Sequence, residues 1–201
     1  MKKIVEKIFQ DSISAKRDFL ADNSEKIVLL AGQIAAAFTG DRKLLICGNG
    51  GSAADSQHLA AEFVNRFILE RPPLPAMALT TDTSVITSIG NDYSFEMIFS
   101  KQIKALGVEG DVLLVISTSG ESENLIQAVR AAAERGIYTA AFLGGNGGRV
   151  AAEVKLPVIV NSTDTARIQE VHITAGHSLC HLVDHLLFHE PVGDEKRRSG
   201  R

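Results

Sequence analysis

The sequence VLLVISTSGES at residues 112–122 joins an unbroken apolar run to a loop rich in hydroxyl groups. Such a run is typical of a strand that is buried on both faces, as in a parallel sheet covered by helices. Comparable runs occur elsewhere in the chain, and together they predict strands at 43–47, 76–79, 112–117, 138–142 and 157–160. The pattern therefore indicates a five-stranded parallel sheet.

Longer amphipathic stretches lie between these runs and predict helices at 52–69, 94–106, 121–135 and 167–188. Strands that alternate with helices indicate an α/β protein with a three-layer, doubly wound (flavodoxin-like) sheet. Residues 1–39 are predicted to form an N-terminal helical hairpin, with a cap for its second helix at Asn23 and Ser24. One face of this hairpin is so apolar that we expect it to pack against a second subunit.

Length, composition and charge restrict the class of protein. The 201 residues are 45% hydrophobic and 22% charged, and we expect one domain at 1–190 with a disordered tail at 191–201. A formal net charge of -3 argues against nucleic acid binding, and no apolar run approaches the ~18 to 20 residues that span a bilayer. Acidic and polar residues follow the first lysines, so we expect no signal peptide, and Cys47 and Cys180 lie in apolar surroundings. We therefore expect a cytoplasmic protein with two reduced, buried thiols.

Two loops that follow predicted strands have the composition of an anion site. The first, GNGGS at 48–52, has glycines that let backbone N–H groups approach an anion, and its Ser52 can cap the next helix or donate a hydrogen bond. The second, STSGES at 117–122, brings four hydroxyl groups to the start of a helix without any lysine. Ligands of such sheets bind beyond the carboxyl ends of the strands. The two loops therefore predict a site for a phosphomonoester.

Other interpretations of these loops remain open. Either loop could be a glycine-rich turn without a ligand. Gly48, Gly50 and Ala53 also match a relaxed dinucleotide fingerprint, for which Glu70 or Asp82 would supply the acid that binds a ribose. Glu70, however, precedes two prolines and falls before the second predicted strand rather than at its end. A third glycine-rich loop, GGNGG at 144–148, is interpreted mainly as a turn.

Metal-ligating side chains occur on two predicted helices. His58 and Glu62 are four residues apart, so both project from one helix face and could bind one divalent ion, although such a pair is usually a solvated contact. The last predicted helix adds a group of further candidates: Gln169, Glu170, His172, His177, His181 and His185. The last three histidines form a stripe at helical spacing, so the sequence pattern alone does not select one of them. A structural role is the default for most of that stripe.

Four segments, in this order and spacing, carry a family resemblance: CGNGGSAADSQHLAAEF, IGNDYSF, GDVLLVISTSGESENL and RIQEVHITAGH. They resemble the bacterial phosphoheptose isomerases of the sugar isomerase (SIS) fold, and the resemblance covers about residues 1–188. It implies conversion of sedoheptulose 7-phosphate to D-glycero-D-manno-heptose 7-phosphate through a cis-enediol. This reaction is the first step towards ADP-heptose and the lipopolysaccharide core. One position departs from some members, which carry an acid where Ala166 stands here.

The resemblance also implies roles for individual residues. It makes Glu62 the base and His177 the acid, and it implies one zinc ion per subunit held by His58, Glu62, Gln169 and His177. We expect the following residues to bind substrate, with Ser52 added from the first loop to those that the resemblance implies: Asn49, Gly50, Gly51, Ser52, Glu62, Asn91, Asp92, Ser117, Thr118, Ser119, Ser122 and Gln169. It further implies a homotetramer.

The spacing of two implied ligands bears on this assembly. Gln169 and His177 are eight residues apart, which is about 12 Å along an unbroken helix. We therefore expect either that Gln169 precedes the helix or that more than one subunit builds the site, and we favour active sites at subunit interfaces.

Two functions of other classes compete with the enzyme. A relative with this layout acts as a tetrameric adaptor that binds the bacterial replication initiator, and it shares a segment like ERPPLPA at 70–76. The acid at Glu62 favours the enzyme, because the adaptor relatives lack it. A sugar-phosphate-sensing regulatory domain is the third interpretation, and it is less favoured because we expect no attached DNA-binding module.

Overall fold

The computed structural model describes residues 1–189, and the tail predicted to be disordered at 191–201 lies outside them. The strands are β1 Leu44–Gly48, β2 Ala76–Ala78, β3 Val112–Ser117, β4 Tyr138–Gly144 and β5 Leu156–Val160. The helices are α1 Lys2–Thr39, α2 Gly51–Val64, α3 Thr83–Asp92, α4 Ile98–Leu106, α5 Glu123–Glu134, α6 Gly148–Glu153 and α7 Thr165–Phe188. A short 3-10 turn, Phe95–Met97, precedes α4.

The five strands form one parallel sheet in the order β2-β1-β3-β4-β5, which confirms the predicted fold class. β1, β3 and the part of β4 that follows Tyr138 are buried on both faces, as their largely apolar sequences indicate. The chain leaves β1 towards β2 and returns to β3 on the other side of β1. The carboxyl ends of β1 and β3 are therefore the topological switch point of the sheet, where ligands of this architecture bind.

Apolar side chains fill both faces of the sheet. One core packs residues of α1, α2 and α7 against strand residues such as Leu44 and Phe142. The other core packs residues of α4 and α5 against the opposite face, with Leu45 and Leu113 among the strand residues. Cys47 and Cys180 are buried, free thiols, as predicted. The two layers of helices complete the doubly wound arrangement.

The predicted N-terminal hairpin is wrong, because α1 is a single helix of 38 residues. Asn23, which was expected at a cap, lies inside this helix and is buried. Its Nδ2 donates hydrogen bonds to the carbonyl oxygens of Phe19, one turn earlier, and Ile159 of β5. A polar residue that bonds to the preceding turn and to a neighbouring strand does not need to end the helix.

Some other predicted elements differ in extent. α2 ends at Val64 rather than at 69, and the predictions omitted both α3 and α6. The sequence of α3, TSVITSIGND, contains β-branched residues and a glycine, which lower helix propensity. Within the described residues, none of the helices combines the length and the apolar character that crossing a membrane requires.

Candidate active site

The first loop and the loop rich in serine lie side by side at the switch point, as predicted. Gly48 of β1 pairs in register with Ile116 of β3, so the two strands end at nearly the same level of the sheet. The side-chain amides of Asn49 and Asn124 donate to each other's oxygens at 2.9 Å in both directions. This reciprocal pair ties the first loop to the first turn of α5.

The backbone of the first loop depends on a glycine and leads directly into a helix. Gly50 has a φ of 55°, a conformation that favours glycine, and α2 begins at Gly51 immediately after it. N–H groups at the start of α2 therefore face the switch point. Ser52 does not cap α2, because it lies within the first turn and is buried.

The loop after β3 leads into the N-terminus of α5. Ser117 is buried and its Oγ accepts the N–H of Gly120, whereas Ser119 is exposed and its Oγ accepts the N–H of Glu121. Ser122 occupies the N-cap of α5 without making a side-chain capping bond within the described residues. This arrangement offers hydroxyl and N–H donors to an anion at a helix N-terminus.

The glycine-rich loop at 144–148 contacts the loop rich in serine at 117–122. Gly120 has a φ of 68°, and a Cβ there would overlap the carbonyl oxygen of Gly147. The N–H of Val150 in α6 donates to the carbonyl oxygen of Gly120 at 2.9 Å. The loop at 144–148 is thus a turn, as predicted, and it also supports the backbone of the loop rich in serine.

Asn124 is a site residue that sequence analysis missed, and we expect it to hold Asn49 in place. Replacement by alanine should raise KM for a sugar phosphate by about tenfold with a smaller change in kcat, because Asn49 loses both hydrogen bonds of a partly buried pair. Steady-state kinetics would measure both constants. Gln127→Ala on the same helix is the control, since Gln127 bonds only to Glu123 among the described residues. An unchanged KM in Asn124→Ala would contradict this role.

A second group of predicted residues meets between α2 and α7. His58 Nε2 lies 2.8 Å from His177 Nε2 and 3.6 Å from Glu62 Oε1. The ring of Phe67 stacks on His177 with 5.3 Å between the ring centroids. The His58 side chain is 44% exposed and that of Glu62 is 22% exposed, so solvent and substrate can reach this group. The structure thus brings both predicted catalytic residues beside one predicted ligand.

Two separations in this group are close to those between the ligands of a zinc ion. Within residues 1–189, no three or more His, Cys, Asp or Glu side chains are close enough together to hold a metal as they stand. Any two ligands of a tetrahedral zinc site lie about 3.3 Å apart. The separations of 2.8 Å and 3.6 Å around His58 Nε2 therefore differ from that value by about half an ångström or less. Imidazole nitrogen and carboxylate oxygen are also usual zinc ligands.

Gln169 lies away from this group. α7 is continuous from Thr165 to Phe188, so the expectation that Gln169 precedes the helix is wrong. A Cβ on Gly51, at the N-terminus of α2, would overlap the Gln169 amide, whereas His177 meets α2 two turns later at His58. α2 and α7 therefore run in the same direction, with Gln169 beside the first loop.

The other histidines of α7 divide by burial. His172 is buried, stacks on Phe142 and has its Nε2 3.2 Å from the carbonyl oxygen of Leu143. Burial lowers the pKa of His172 to about 4, so this residue is a neutral core histidine at neutral pH. His181 and His185 are exposed. Of the stripe at helical spacing, only His177 contacts His58 within the described residues.

Asn91 and Asp92 end α3 and are exposed, with the Asn91 amide donating to Asp92 Oδ1 at 2.9 Å. Asp82 precedes α3 as its N-cap, and its carboxylate accepts the N–H of Val85 at 2.9 Å. Asp82 is therefore a helix cap, and Glu70 forms an exposed pair with Arg66. Neither acid supports the dinucleotide interpretation of the first loop.

Comparison with known proteins assigns the family. The sequence model of the SIS domain matches residues 8–144. A phosphoheptose isomerase from Nitratidesulfovibrio vulgaris is 57% identical over 86% of this chain and 83% of its own length. One from Aquifex aeolicus is 52% identical over 91% of this chain and 96% of its own length. The chain belongs to the phosphoheptose isomerase family.

A solved structure extends this agreement to three dimensions. The phosphoheptose isomerase GmhA from Neisseria gonorrhoeae is 46% identical, with a TM-score of 0.86 over 91% of this chain and 98% of that one. The predicted SIS fold and the predicted family are thus confirmed. As a member of the phosphoheptose isomerase family, the chain is an enzyme, and the adaptor interpretation is not favoured.

Proposed function

We propose that this chain converts sedoheptulose 7-phosphate to D-glycero-D-manno-heptose 7-phosphate, a step towards ADP-heptose and the lipopolysaccharide core. The observation that carries the proposal is the meeting of His58, Glu62 and His177 in a member of the phosphoheptose isomerase family. An acid and a base side by side are what the exchange of a carbonyl between adjacent carbons requires.

In this mechanism, Glu62 removes a proton from C1 of the open-chain ketose, and the resulting cis-enediol receives a proton at C2. His177 moves a proton between the two substrate oxygens, which converts the ketone at C2 to a hydroxyl group and the hydroxyl at C1 to an aldehyde. The phosphate binds at the loops that contain Asn49 and Ser119. Its binding energy is remote from the reacting carbons and serves to position them.

We also propose that one zinc ion per subunit binds His58, Glu62, Gln169 and His177. The ion would act as a Lewis acid that polarises the carbonyl and stabilises negative charge on the substrate oxygens. A carboxylate that binds zinc through both oxygens is a poor base. Glu62 must therefore keep one oxygen free to accept the C1 proton.

The assembly that we propose is a cytoplasmic homotetramer with its active sites at subunit interfaces. Large apolar side chains on the N-terminal half of α1 are exposed in the single chain: Ile4, Val5, Ile8, Phe9 and Ile13. An exposed apolar face of this extent is typical of a protein interface. The distance of about 12 Å between Gln169 and His177 along α7 supports a site completed by a second subunit.

The proposed substrate predicts a preference for chain length. Ketose phosphates of five, six and seven carbons would be supplied to the purified, zinc-loaded oligomer, and NMR would follow aldose formation. We expect kcat/KM to be at least about tenfold higher for the seven-carbon sugar, because the phosphate must lie at the loops while C1 reaches Glu62. A preference for a shorter sugar would contradict the proposed substrate. No turnover of any of them, together with binding of the replication initiator, would favour the adaptor.

A further inference from the structure

The segment between α2 and β2 contains a buried arginine that the proposed mechanism does not use. The Arg71 side chain is 1% exposed and its Nε donates to Asp184 Oδ1 at 2.7 Å, with Asp184 itself 6% exposed. One terminal nitrogen donates to the carbonyl oxygens of Phe63 at 2.8 Å and Pro72 at 3.1 Å. The other donates to the carbonyl oxygen of Glu62 at 3.0 Å. These partners compensate the buried charge for its loss of water.

These partners lie on the two helices that carry the candidate active site. The carbonyl oxygens of Glu62 and Phe63 belong to the last turn of α2, where they lack partners within the helix and where a cation is favourable. Asp184 is seven residues after His177 on α7, so it lies two turns further along nearly the same face. Arg71 therefore fastens the end of α2 to α7.

The relative position of α2 and α7 decides where the acid and the base lie. The contact between His58 Nε2 and His177 Nε2 crosses this helix pair at 2.8 Å. A Cβ on Gly176, beside His177, would overlap the end of the Leu59 side chain, so the helices are in close contact there. Cys180 lies between His177 and Asp184, and burial raises its pKa to about 12, with the negative charges of Glu62 and Asp184 adding to that effect. The Cys180 thiol is therefore protonated, and unreactive as a nucleophile, at neutral pH.

We propose that Arg71 and Asp184 are a positioning pair, which sets the placement of Glu62 and His177 by holding α2 and α7 in register. This inference rests on the proposed function for its effect on kcat. Neither residue touches the reacting atoms. Their role is comparable to that of outer partners that orient metal ligands, whose removal typically costs about 10- to 100-fold in metal affinity or activity.

Two conservative variants test the pair. Arg71→Lys keeps the charge but loses the forked geometry of the guanidinium, and Asp184→Asn keeps the shape but loses the charge. We expect each to lower kcat by about 10- to 100-fold and to weaken zinc binding by about tenfold, with KM for the sugar phosphate changed by less than about threefold. Zinc affinity would be measured on the metal-free oligomer by competition with a chelator, so this readout does not depend on turnover.

Asp111→Asn is the matched control. Asp111 is another buried carboxylate with a cationic partner, Lys43 at 2.7 Å, but it lies before β3, at the opposite edge of the sheet from the switch point. Thermal unfolding should show that this variant is also destabilised, while its kcat and zinc affinity stay within about twofold of the wild type. If Arg71→Lys and Asp184→Asn lose stability as Asp111→Asn does but keep kcat and zinc affinity, the pair is only structural and the inference is wrong. If the wild type converts no sugar, the proposed function fails, and zinc affinity alone still decides whether the pair positions the ligands.

Discussion

Replacement of Glu62 by glutamine should lower kcat for sedoheptulose 7-phosphate by about 10³-fold, because a general base contributes about 10² to 10⁴ to such a step. Glutamine has the size of glutamate and can still donate or accept a hydrogen bond, but it cannot take the C1 proton. The Glu62 side chain is partly exposed beside His58, so the substitution creates neither a cavity nor a buried charge. Steady-state kinetics would measure the loss, and circular dichroism would confirm the fold.

Glu70→Gln is the control for this variant, because it removes the same charge from an exposed glutamate that pairs only with Arg66 within the described residues. Its turnover should match that of the wild type. The zinc content of Glu62→Gln separates the two roles of this residue. A variant that retains zinc but has lost turnover has lost its base, whereas wild-type turnover would remove Glu62 from the mechanism.

Mixed oligomers should recover activity that two inactive variants lack. Gln169→Ala and His177→Ala should each reduce turnover by more than about 100-fold, because each removes a proposed zinc ligand. If a site takes these residues from different subunits, about a quarter of the sites in an equal mixture contain both of them. Co-expression with two affinity tags would yield the mixed oligomers, and their turnover would be compared with that of each parent.

The control mixture pairs Glu62→Gln with His177→Ala. Glu62 and His177 both adjoin His58 within one chain, so these two variants should not restore each other. Recovered turnover in the Gln169→Ala and His177→Ala mixture, with none in the control, is the expected result. No recovery in either mixture would show that the site does not take Gln169 and His177 from different subunits.

Local sequence predicted the parts of the site that depend on short stretches of chain. The apolar run at Val112 and the glycines after Cys47 predicted neighbouring parallel strands, and the register of β1 with β3 places their loops side by side. The i,i+4 spacing of His58 and Glu62 predicted a shared helix face, which the structure confirms.

Contacts between distant residues were beyond the reach of those patterns. Asn23 has the chemistry of a helix cap, and its bonds to Phe19 and to Ile159 on β5 explain why α1 continues through it. The roles of Asn124 and Arg71 come from partners on other elements, Asn49 and Asp184, which local sequence does not identify. Helical spacing alone does not show which histidine of α7 belongs to the site. The packing of α2 against α7 selects His177, because it brings this residue to His58.

The most direct test of the central claim is NMR of sedoheptulose 7-phosphate turnover in D₂O before chelation, after chelation and after zinc is restored. We predict an aldose heptose 7-phosphate that carries deuterium at C2, because the proton that Glu62 removes can exchange with solvent before it returns. Chelation should abolish this product and zinc should restore it. The absence of the aldose from a folded, zinc-loaded oligomer would contradict the proposed function, and turnover that is indifferent to the metal would contradict the zinc site.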